Sequence, residues 1–155
     1  MPQLSDTLTD NFALAYRDFA RRVRDLTGNL TDEQFWARPY PYGNSIGHLT
    51  LHVTGNLNYY IGARIARTGY VREREREFTE QTRPSKEEVL GRLDEAVSLV
   101  VRTLKAETEG GWSERYEAEG AGETVRDRFG IYLRCAAHFQ HHVGQMIYLA
   151  KELSK

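Results

Sequence analysis

Apolar residues recur at threes and fours along four stretches of the chain, the spacing of helices with one face turned inward. Residues 3–27 carry Leu4, Leu8, Phe12, Tyr16, Phe19, Val23 and Leu26 in this rhythm, with Ser5 or Asp6 as the cap and Gly28-Asn29 as the stop. Residues 45–67 carry Ile46, Leu49, Val53, Leu57, Tyr60, Ile61 and Ile65 behind an Asn44 or Ser45 cap. Residues 85–106 follow the capping-box signature Ser85-Lys86-Glu87-Glu88 and carry Val89, Leu93, Ala96, Val97, Val100 and Leu104. A last helix, capped by Thr124 and running over 124–153, carries the stripe Ile131, Cys135, His138, His142, Gln145 and Leu149. Four such helices predict an all-α four-helix bundle, a single domain over 1–155.

Three connections join them, 28–44, 68–84 and 107–123. Each is long enough to cross the bundle when extended, so loop length leaves the topology open. In the first, Thr31 caps one or two helical turns carrying Phe35 and Trp36, an aromatic pair that plugs one end of the bundle. The second holds Arg72-Glu73-Arg74-Glu75-Arg76-Glu77-Phe78, which reads as a solvated run of local ion pairs. In the third, residues 112–118 alternate weakly, the pattern of a short hairpin.

Composition narrows the partners. With 21 basic and 22 acidic residues the net charge is −1, so no basic excess exists to neutralise a nucleic-acid backbone. No apolar run is long enough for a membrane span, and the first residues lack the pattern of a signal peptide. The single cysteine, Cys135, allows no internal disulfide. A cytoplasmic protein is the expectation.

The five histidines fall in two clusters, His48 and His52 in the second helix and His138, His141 and His142 in the last. Each cluster holds a pair at i and i+4, which puts two rings on one helix face. His48 and His52 lie on a polar stripe with Ser45, Asn56 and Tyr59 that has no Lys or Glu, a pattern of burial around something polar. A zinc or nickel ion takes imidazole nitrogens, and three protein ligands plus a water make the usual open, catalytic site. His138 and His142 would supply two ligands, His52 or His48 the third. The competing reading is core histidines bonded to backbone, tyrosine or asparagine. No Glu-x-x-His occurs and neither stripe carries a carboxylate, which excludes a ferritin-like di-iron site and the general base of a zincin. His48 and His141 are then the candidates for proton transfer. Cys135 either approaches the ion or a substrate, or is a small core residue.

Two segments in this order, Ser45-Ile46-Gly47-His48-Leu49-Thr50-Leu51-His52-Val53 and His138-Phe139-Gln140-His141-His142-Val143-Gly144-Gln145, resemble the DinB-like (DinB/YfiT-type) superfamily of metal-dependent enzymes. Trp36 ahead of the second helix fits too. The resemblance implies His52, His138 and His142 as metal ligands; Asn56, Tyr59, Cys135 and Gln145, on the same two stripes, are the candidate pocket residues around them. It also implies an up-down-down-up bundle with 68–84 as the crossover. A homodimer is expected, with Tyr59, Tyr60 and Tyr70 on its outer faces. Val143 stands where superfamily members often carry arginine. The function implied is a thiol-dependent transferase or a hydrolase acting on a small molecule, with a low-molecular-weight thiol as a partner. The alternative is a non-catalytic, dimeric metal-binding or stress-response bundle whose ion is structural.

Overall fold

Each of the four apolar rhythms becomes a helix. The structure, a computed structural model, describes every residue except Pro2. Six α-helices form: α1 (Leu4–Thr27), α2 (Asp32–Trp36), α3 (Ile46–Leu57), α4 (Arg76–Thr79), α5 (Lys86–Lys105) and α6 (Arg128–Leu153). A π-helical segment, Asn58–Ala63, prolongs α3. Among the described residues there is no strand, only an isolated bridge between Arg115 and Asp127. No helix is long and apolar enough to cross a membrane.

Three helix starts follow the capping chemistry of the sequence. The hydroxyls of Thr31, Ser45 and Ser85 accept from the backbone N–H of Gln34, His48 and Glu88. Two starts differ. Gln3 precedes α1, and its N–H donates to Asp6 at 3.2 Å. Asp127, not Thr124, caps α6, and its carboxylate accepts from the Gly130 N–H at 2.7 Å. The reason lies just upstream. Tyr116 N–H donates to the Arg126 carbonyl and Arg128 N–H to the Glu114 carbonyl, so the chain is held across 114–128 until the helix begins. Of the expected hairpin only the antiparallel Arg115–Asp127 bridge forms among the described residues, and Trp112 lies in a 3-10 turn, Gly111–Ser113, where its indole N–H donates to Ser5 at 2.8 Å.

α1 packs on α5 and α6, and α3 packs on the same two helices. Near its start α1 meets the end of α5, where Thr9 donates to the Leu104 carbonyl; near its end it meets the start of α5, where the Lys86 ammonium donates to the Thr27 carbonyl. Against α6, Tyr16 donates to the Tyr132 carbonyl at 2.7 Å and Phe19 packs on Phe139. Phe35 and Trp36 are buried at one end, as the aromatic pair predicted. A Cβ on Gly47 would stand 2.6 Å from the Trp36 ring, so only glycine lets the indole lie on α3. In the wide π turn the neighbours Tyr59 and Tyr60 both line one open cleft.

Candidate metal centre

The α3–α6 contact brings His52 against His138 and His142. Nε2 of His138 lies 3.0 Å from Nε2 of His52 and 3.1 Å from Nε2 of His142, and the three ligand atoms fall within 4.8 Å of one another. Imidazole nitrogens about 2.0–2.1 Å from a tetrahedral ion stand about 3.3 Å apart, so the spacing suits one ion.

Proton placement makes the same point. His52 Nδ1–H donates to Glu77 Oε1 at 2.9 Å, which leaves Nε2 a bare lone pair. His142 Nδ1–H donates to Gln145 Oε1 at 2.7 Å, which bares its Nε2 in the same way. Both lone pairs face His138 Nε2. A proton there could satisfy only one of them. His138 Nδ1 is buried and has no hydrogen-bond partner. A cation satisfies all three Nε2 atoms at once, so the residues present fit a divalent ion.

His138 and His142 are held neutral, as ligands must be. Burial first, then the neighbouring His142 and His52 rings, push His138 down to about 3. Burial pushes His142 down to about 4, against the Gln145 hydrogen bond. Each folded-state value lies below the ordinary histidine value, so the unfolded chain binds more protons between them. The metal-free protein should therefore lose stability as pH falls from about 6.5 toward about 3. Melting temperatures of chelated protein across this range check it. His142→Gln should flatten the slope; an unchanged slope would show that the ring titrates freely.

Glu77 and Arg72 were not visible as site residues in the sequence. The 72–78 run is only partly solvated. Arg76 and Glu73 pair on the surface, but Arg72 and Glu77 turn inward with side chains 10% and 7% exposed. Arg72 clamps both Glu77 oxygens at 2.9 Å, and Phe78 packs on the His52 ring. So a carboxylate does stand beside the histidines, contrary to the sequence expectation; it arrives from the connection and not from a helix stripe. One signal pointed to it. Gly55 lies inside α3 with no turn to make, and a Cβ there would stand 1.9 Å from Glu77 Oε2.

Other candidates are placed differently. His48 commits both ring nitrogens elsewhere, Nδ1 to Ser45 Oγ at 2.6 Å and Nε2 to the Glu80 carbonyl at 3.2 Å. His141 is exposed and accepts from the Gln145 amide. Cys135 is wholly buried, burial pushes its thiol up to about 12, and it does not line the cleft, so it is a neutral core residue. Asn56 is buried, and Tyr59, Tyr60 and Tyr70 line the cleft beside His52 and His138.

A family model described as the DinB superfamily matches residues 15–146. The chain belongs to the DinB superfamily. No curated protein and no solved structure gives a match. In this DinB-superfamily chain Val143 is fully buried, and Arg72 Nη2 lies 3.4 Å from His52 Nδ1.

Proposed function

We propose that this DinB-superfamily chain is a divalent-metal-dependent enzyme, a thiol-dependent transferase or a hydrolase, with zinc or nickel on His52, His138 and His142. The observation that carries the reading is the convergence of three imidazole Nε2 atoms, with His52 and His138 on the wall of an open cleft of about 880 Å³ and His142 beside them. A cleft of that size suits a small-molecule substrate. A bound ion would lower the pKa of a water or hold a thiol as thiolate. The chain's own residues do the positioning. Glu77 fixes the tautomer of His52 and Gln145 that of His142. Phe78 covers one side of the His52 ring. The α1 contacts with α5 and α6 support an up-down-down-up, single-domain bundle around this centre.

The structural-ion reading needs His48 as a fourth ligand. The hydrogen bonds of His48 to Ser45 and Glu80 speak against it. The test is a screen of small thiols against an activated aryl chloride, with zinc- or nickel-loaded and metal-free protein. Thiol consumption should require the ion and fall at least about tenfold in His142→Ala. Equal rates with and without the ion, or across the variant, would reject the transferase reading; ester hydrolysis in the same panel decides the hydrolase arm.

A further inference from the structure

Three buried side-chain atoms lack a hydrogen-bond partner among the described residues: Asn56 Oδ1, Arg134 Nη1 and His138 Nδ1. All three residues line the one cleft beside the histidines. Buried polar atoms are nearly always paired, so three on one wall mark a place where a partner belongs. Arg134 lies one helical turn before His138 on α6, about 5–6 Å along the same face. Its other ties involve no carboxylate. Nη2 donates to the Gly120 carbonyl at 3.2 Å, and the guanidinium lies over the Tyr60 ring. Among the described residues neither Arg134 nor Arg74, at the cleft wall, forms an ion pair, whereas Arg72 is neutralised by Glu77. Glu119 is the one acidic residue of the lining. Apart from an ion on the histidines, two free cations against one carboxylate leave about one positive charge at this subsite, which matches a monoanion.

We propose that the cleft takes a small monocarboxylic acid, with its carboxylate on Arg134, a donor group on Asn56 and its reactive group turned toward His138. The fork of Arg134 suits the planar carboxylate. The buried Asn56 oxygen accepts an N–H or O–H from the same molecule. The proposal rests on the metal reading only for which group reacts; the anion subsite itself needs no ion.

The test compares mercaptopropionate with its uncharged amide, mercaptopropionamide. Binding is read by calorimetry on cobalt-loaded protein and by ligand-observed NMR on metal-free protein. The acid should bind at least about tenfold tighter than the amide in both forms. Arg134→Gln should remove the preference and leave the amide's affinity and the cobalt affinity unchanged. Arg134→Lys, which keeps the charge but not the fork, should restore part of it. Equal binding of acid and amide to the wild-type protein, or a preference that survives Arg134→Gln, would overturn the proposal and leave water as the partner of these atoms. Failure to bind cobalt would overturn the metal reading alone, because the metal-free comparison still decides the carboxylate site.

Discussion

Glu77→Ala should cost the fold about 3–5 kcal/mol and the centre about 10–100-fold in metal affinity. Two roles meet in this one carboxylate. It accepts the His52 Nδ1–H at 2.9 Å and takes both arms of Arg72 at 2.9 Å. Truncation strands the Arg72 guanidinium in a place where its side chain is only 10% exposed, with His52 Nδ1 at 3.4 Å and the Tyr60 ring at 5.8 Å beside it and no carboxylate. It also frees the His52 ring to rotate and to carry its proton on Nε2, the atom a ligand needs bare. Glu77→Gln keeps the shape and an acceptor but loses the charge, so it should fall between wild type and alanine on both counts. Denaturant titration reads the first effect and competition against a metal indicator the second. A loss below about 1 kcal/mol with unchanged affinity would mean that the pair behaves as a surface ion pair, the role its sequence context suggested.

Removing the ion should leave the bundle standing. α1 and α5 contribute no ligand, and the core runs without interruption through Tyr16, Leu93, Leu104, Ile131 and Phe139, all essentially inaccessible to solvent. Burial of that apolar surface holds the helices together whether or not three rings at one edge share a cation. Binding then adds stability by mass action, about 4 kcal/mol at a thousandfold excess over the dissociation constant. For a chain of this length that shift corresponds to about 8–16 °C in melting temperature. Chelated protein should thus keep its helical circular dichroism at 25 °C, melt lower, and lose any activity. Collapse of most of the helical signal on chelation would instead place the ion among the elements that fold the chain.

Much of this architecture was legible because helices announce themselves locally. The apolar period and the Ser45 and Ser85 caps set the second and third long helices within a residue of their starts. The His138–His142 pair in the cluster was legible for the same reason: an i, i+4 pair fixes its own relative geometry before any tertiary contact exists. What failed was what tertiary contact decides. Arg72 and Glu77 look in sequence like every other member of an alternating charge run; their burial depends on where the 68–84 connection lands, and only Gly55 hints at it. Thr124 is a good cap by type, yet the backbone bonds between 114–116 and 126–128 delay the helix to Asp127. Cys135 shares a stripe with His138, but the stripe turns from cleft to core within that one turn.

The most direct measurement is elemental analysis of protein purified without a metal-affinity column, wild type beside His138→Ala and His48→Ala. His138 Nε2 is the atom that both other rings face, so its loss should leave no site with three convergent nitrogens. Wild type and His48→Ala should each carry about one divalent ion per chain, and His138→Ala none. Wild-type metal content in His138→Ala, or loss of the ion in His48→Ala, would contradict a centre built on His52, His138 and His142.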